Sequence, residues 1–163
     1  MKRKLSLLIC VLCLLLFSPQ IYSQDEVLKP VSCESNPYQQ SIDSLKRLYG
    51  GQGFNVLREA SIQMESEYEM PIVVPMNEGG LYQFVFIGDP TSRLYEVRMF
   101  DYSERQVFYK KHMWGDVDGN IITYSYVPKF TEYHMIKPVQ VNKKRKKVCG
   151  YVMLLKKSGT GTP

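Results

Sequence analysis

The chain has 163 residues, 44% of them hydrophobic, with four cysteines and a formal charge of +5. Three of its 21 Lys+Arg fall in the first four residues and five more in the single run Lys143–Lys147, leaving 13 cations against 16 Asp+Glu. The body of the protein is therefore near neutral to slightly acidic, which argues against nucleic acid as a partner.

Lys2, Arg3 and Lys4 precede the apolar run from Leu5 to Phe17, Ser18-Pro19 breaks it, and Ser23 stands just before Gln24. This order predicts a secretory signal peptide over residues 1–23 with cleavage after Ser23. The apolar core is short for a membrane span, which needs about 20 residues, so the mature chain is expected to lack one. An exported chain, periplasmic or extracellular, keeps Cys33 and Cys149 once Cys10 and Cys13 leave with the leader. In an oxidising compartment such a pair predicts a disulfide tying the N-terminal arm to the last strand. Two free thiols or an intermolecular bridge are the alternatives.

Residues 24–35 lack periodicity and read as an extended arm, and the single domain is expected over 36–157. A helix is predicted for 37–49: Asn36 as N-cap, Pro37 at the first helical position, and Tyr38, Ile42, Leu45 and Tyr49 at helical spacing. Gly50-Gly51 reads as its stop. From Ala60 to Met70 the period changes to two, as in a half-exposed strand, while Phe54–Glu59 is compatible with a further helical turn. Pro71 and Pro75 around Ile72-Val73-Val74 suggest an edge strand or a bend. Leu81 to Ile87 is apolar at almost every position, which predicts a central strand covered on both faces. Strands then follow over 94–100, 106–111, 121–127, 133–141 and 148–156, with Tyr95, Val97 and Met99 inward and Glu96 and Arg98 outward. Short strands at this spacing predict a mainly β protein, an antiparallel β-sandwich with one N-terminal helix packed against it. The tail 158–163 reads as disordered.

The strands Tyr82-Gln83-Phe84-Val85-Phe86 and Leu94 to Asp101, with the closing Gly150-Tyr151-Val152-Met153-Leu154, resemble those of small jelly-roll-like sandwiches. The families concerned are the bacterial pre-peptidase C-terminal domains and the GOLD domains. The likeness spans residues 70–156 and carries no functional residues. It implies a jelly-roll-like fold and a non-catalytic role in secretion, cargo contact or surface binding.

Two loops hold the chemistry. In His112-Met113-Trp114-Gly115-Asp116-Val117-Asp118-Gly119-Asn120, the side chains of Asp116, Asp118 and Asn120 alternate as at the start of a calcium loop. An EF-hand would continue with Gly and Glu where Ile121 and Val127 stand, so a hairpin turn is the competing reading. No cofactor is expected, with Ca²⁺ at Asp116, Asp118 and Asn120 as the alternative. Trp114 lies in this loop, where no strand period requires it. The second loop is Lys143, Lys144, Arg145, Lys146 and Lys147, expected as an exposed hairpin connection that attracts anionic groups or simply keeps a sheet end solvated. His112 and His134 lack a Gly-x-Ser-x-Gly elbow or a zinc ligand set, and His134 reads as a cross-strand packing residue.

These features predict a secreted, non-catalytic binding or assembly module of the bacterial cell envelope or extracellular space. Its partner would be a protein, a glycan or an anionic envelope surface, contacted through Trp114 and Lys143–Lys147 if both loops share one end of the sandwich. A small hydrolase is an alternative, with two carboxylates about 5 to 10 Å apart in a cleft. A calcium-stabilised structural domain is another.

Overall fold

A computed structural model describes residues 32–33 and 38–159. The expected signal peptide, most of the expected arm, the proposed cap Asn36-Pro37 and residues 160–163 lie outside the described residues.

One helix, α1 (Gln39–Gly51), precedes eight strands: β1 (Phe54–Glu65), β2 (Ile72–Met76), β3 (Tyr82–Ile87), β4 (Leu94–Phe100), β5 (Gln106–Met113), β6 (Ile121–Tyr126), β7 (Glu132–Val141) and β8 (Lys147–Lys157). They form two four-stranded antiparallel sheets, ordered β1-β8-β3-β6 and β2-β7-β4-β5. That order is the eight-stranded jelly roll, in which successive strands mostly change sheets.

Three layers result. Between the sheets lie Phe84, Phe86, Tyr95, Val97, Met99, Ile122, Ile136, Val152 and Leu154. On the outer side of the first sheet, Val85, Ile87, Tyr151, Met153 and Leu155 meet Tyr38 and Ile42 at the helix, with Leu45 and Tyr49 packed against them. β3 is thus buried at every position, as its unbroken apolar run requires. Its one polar residue, Gln83, is satisfied by Tyr49 Oη at 3.2 Å and by the Ser125 hydroxyl at 2.5 Å. Tyr38 closes the layer by donating its hydroxyl to the Cys149 carbonyl at 2.8 Å. Cys33 is bonded to Cys149 on β8, with Cα atoms 6.1 Å apart, so the arm is tied to the last strand as expected.

Four expectations shift. The helix covers 39–51 rather than 37–49, and Gly50-Gly51 form its last turn. The stop falls at Gly53, whose φ of 83° takes the left-handed conformation that ends helices. Phe54–Glu59 is strand, not helix, because the long β8 offers a partner for each of these residues except Leu57 at the bulge. That bulge, between Val56 and Arg58, interrupts the alternation that would have revealed the strand. At its other end β1 stops at Glu65 instead of running to Met70, since Glu67 adopts φ 76° and breaks the pleat. Finally, the loops 114–120 and 142–146 are not hairpins. β5 and β7 belong to one sheet, β6 and β8 to the other, so both connections arch across the sandwich, spanning about 10 Å between sheets.

β2 is an edge strand, as its flanking prolines suggest, pairing only with β7. Pro138, inside the interior strand β7, is tolerated for a related reason. Its carbonyl accepts from Met70 N–H, so its missing N–H faces the β1–β2 connection rather than the β4 ladder. At the far end, Ser158 is held by its N–H to the Gly53 carbonyl at 2.9 Å, so the ordered chain runs past the last expected strand residue.

Candidate functional site

The connections β1–β2, β3–β4, β5–β6 and β7–β8 all lie at one end of the sandwich, because eight strands that reverse direction in turn return every second connection to the same side. Trp114 and Lys143–Lys147 are therefore brought to a common end. Arg93 stands between them: its N–H donates to the Val141 carbonyl at 2.8 Å, and its own carbonyl accepts from Trp114 N–H at 2.8 Å. Since β4 separates β7 from β5, the two loops leave their sheet roughly 10 Å apart.

A buried polar network builds this end. Gln140, fully buried on β7, accepts the Asp89 N–H at its Oε1 (2.8 Å) and donates from Nε2 to the Cys149 carbonyl (3.0 Å). Asp89 Oδ1 accepts from Thr91 N–H and hydroxyl at 2.8 and 2.6 Å. Tyr95 reaches back under the β3–β4 loop, its hydroxyl within 2.7 Å of the Asp89 carbonyl and 2.9 Å of that of Ser92. Gly88 leaves room for that ring, since a Cβ there would lie 2.4 Å from Tyr95 Cδ1. Burial and the nearby Asp89 charge push the Tyr95 hydroxyl up to about 12, so it remains a donor at neutral pH.

Asn142 carries the network into the basic loop. Its Oδ1 accepts the N–H groups of Lys144 and Arg145 at 3.0 and 3.2 Å, and its Nδ2 donates to Thr91 Oγ1 at 2.8 Å. Ser66 in the β1–β2 turn donates its hydroxyl to the Asn142 carbonyl and its N–H to the Lys146 carbonyl, while accepting the Asn142 N–H. The loop backbone is thus fixed from two neighbouring turns, and its five cationic side chains are all exposed. Arg145 approaches Asp89 Oδ2 at 3.8 Å; among the described residues no carboxylate stands within ion-pair distance of Lys143, Lys144, Lys146 or Lys147.

Between this loop and the β1–β2 turn lies a cleft of about 400 Å³, lined by Glu65, Ser66, Glu67 and Tyr68 on one wall and by Asn142 to Lys146 on the other. Ser66, Tyr68, Gln140 and Asn142 were not singled out by sequence reasoning. An Asn just before a cationic run was the one available signal, as a turn-forming residue whose side chain caps following N–H groups.

The Trp114 loop is displayed differently. Trp114 is 75% exposed, Met113 is exposed beside it, and Val117 is fully exposed at the tip. Gly115 and Gly119 take positive φ, and successive turns link Asp116 N–H to Met113 O, Gly119 N–H to Asp116 O and Ile121 N–H to Asp118 O. The three candidate calcium ligands are engaged apart from one another. Asp116 Oδ2 accepts Met113 N–H at 2.6 Å, Asp118 Oδ2 lies 3.7 Å from Lys110 Nζ and 3.5 Å from His112 Nε2, and Asn120 Nδ2 donates to the Gly88 carbonyl at 2.6 Å. No group of three or more His, Cys, Asp or Glu among the described residues is arranged to hold a metal ion. His134 is fully buried, edge-on to Tyr126, with Nε2 3.2 Å from that hydroxyl; it packs between the two sheets rather than across a strand pair.

No family model matches the chain, and no curated protein matches it. Among solved structures it is similar to PliG of Aeromonas hydrophila, a periplasmic lysozyme inhibitor of g-type lysozyme, at 9% identity and TM-score 0.47, covering 65% of this chain and 90% of that one. A subunit of the Bacillus endospore appendages, disulfide-linked pili, is similar at 6% identity and TM-score 0.39, covering 64% and 88%. A CBM4 structure follows at 16% identity and TM-score 0.36, covering 66% and 78%. No residue is carried over from them.

Proposed function

We propose that this chain is an exported, non-catalytic binding module that engages an anionic partner through the end bearing Lys143–Lys147 and Trp114. One observation carries the reading: a loop of five exposed cations, four of them without a carboxylate partner among the described residues, is held in place by Asn142 and Ser66. Like charges on five successive residues repel, and ordering their backbone costs conformational entropy. A fold that builds a hydrogen-bonded clamp under such a loop maintains a positive surface ready for contact. The bonded Cys33 and Cys149 fit an oxidising compartment, and no helix among the described residues is long and apolar enough to cross a membrane.

The hydrolase alternative finds two acids in the cleft, Glu65 and Glu67, yet both lie exposed on the same wall, facing lysines. Carboxylates that share one bond-breaking step flank it from two sides, and the acid partner is shielded from water.

The test is capture from the native envelope by the immobilised protein, compared with the triple variant Lys144→Glu, Arg145→Glu, Lys146→Glu. Capture by the parent that weakens as salt rises, and falls at least tenfold in the variant, is expected. Equal capture by both proteins rejects the contact surface.

A further inference from the structure

We infer that the partner at this end is an anionic lipid surface, with Lys143–Lys147 on the headgroups and Met113, Trp114 and Val117 entering the interface. The inference rests on the reading of that end as the contact surface, and names what it contacts.

The two loops are complementary in a way that suits a lipid interface. One carries five exposed cations. The other carries three exposed apolar side chains, Met113, Trp114 and a fully exposed Val117, and tryptophan is a side chain favoured where headgroups meet acyl chains. Both project from the same end of the sandwich, roughly 10 Å apart, with the cation Arg93 between them. Each basic residue near an anionic leaflet contributes about 1 kcal/mol, so a cluster of this size draws the protein to the surface and an apolar anchor strengthens the hold. This end supplies both.

The split of apolar and charged residues between two loops favours a lipid surface over a folded protein partner. A stable protein interface needs about 1,000 Å² of continuous, complementary surface. Here the apolar side chains stand on one connection and the charges on another, with Arg93 between them. A fluid headgroup layer adapts to two separate loops, whereas a rigid partner needs a matching relief. Acids at this end are mostly turned to local use: Asp116 accepts the Met113 N–H, Asp118 sits by Lys110 and His112, and Asp89 is buried beneath Arg145. Glu65 and Glu67 remain exposed on the opposite wall of the cleft from the basic loop.

The chain has one tryptophan, so its emission reports on Trp114 alone. The processed, disulfide-bonded protein is titrated with vesicles of phosphatidylcholine containing phosphatidylglycerol, and with phosphatidylcholine alone. A blue shift with protection from iodide quenching is expected on the anionic vesicles only, reversed by high salt. Lys144→Glu, Arg145→Glu, Lys146→Glu lowers the partition constant at least tenfold, and Val117→Ser lowers it severalfold through lost apolar contact. Sedimentation with anionic vesicles while Trp114 emission stays unshifted overturns the inference, because adsorption would then be charge alone. Absence of vesicle binding, with charge-dependent capture of envelope protein intact, also overturns it but leaves the proposed contact end standing. If the triple variant retains envelope capture, that end itself falls.

Discussion

At the scale of single residues, the ordering of the loop end depends on a few buried polar side chains. Tyr95→Phe keeps the ring over Gly88 but withdraws the hydroxyl from the Asp89 and Ser92 carbonyls. A loss of about 1–3 kcal/mol in urea unfolding is expected, the cost of leaving a buried acceptor without its donor. Asp101 does comparable work at the opposite end. Its Oδ1 accepts the N–H groups of Arg105 and Ser103, both at 2.9 Å, and its Oδ2 takes the Arg105 guanidinium at 2.8 Å. The Arg105 N–H above all, aided by the guanidinium and the Ser103 N–H and opposed by burial, holds the Asp101 carboxyl below its usual range. A depressed carboxylate stabilises the fold above its unfolded pKa of about 3.9, and that contribution disappears as pH falls through the folded value. Acid titration of stability should therefore be steeper below about pH 4 for the parent than for Asp101→Asn, with the two curves converging at the acid extreme. Parallel curves would remove Asp101 from the account of acid sensitivity.

Among elements, one covalent tie joins the segment before α1 to the sheet. The Cys33–Cys149 bond closes a sequence separation of 116 residues. Constraining so long a loop of the unfolded chain stabilises the fold by roughly 4 to 5 kcal/mol in the entropy model. Cys33→Ser with Cys149→Ser is expected to lose a stability of that order, read by denaturant unfolding. Hydrogen exchange should rise first in α1, which the sheet holds through Tyr38, Ile42 and the Lys46–Glu59–Tyr151 contacts. Most elements were legible in the sequence because packing agreed with local pattern. β3 has no polar face, β4 alternates, and α1 repeats its apolar residues at helical spacing. The misplaced boundaries share a cause. The bulge at Val56/Arg58, the left-handed Glu67 and the helix stop at Gly53 each displace a boundary by a backbone conformation that periodicity cannot register. Tyrosines show the same boundary between pattern and packing. Tyr82, Tyr95, Tyr124 and Tyr151 are buried, whereas Tyr109 and Tyr133, equally regular in sequence, are half exposed on the open face of the second sheet.

For the molecule as a whole, the sequence by itself determined the fold class and the number and identity of most strands, and it offered Cys33 and Cys149 as a candidate pair that the structure joins. These follow from local alternation, turn chemistry and residue type, which act over a few positions. The common end of the two loops, left open in the sequence, follows once the strand order is known, since two antiparallel strands, β6 and β7, separate them. The tertiary structure alone decided what stands beside what. It turned both supposed hairpins into arches between sheets, because strand order is set by which faces bury one another and not by adjacency in the chain. It also placed Ser66, Thr91 and Asn142, from three separate connections, around the basic loop. Contacts between residues 76 and 51 positions apart leave no trace in local pattern. They exist because closing the jelly roll brings those turns within hydrogen-bonding distance.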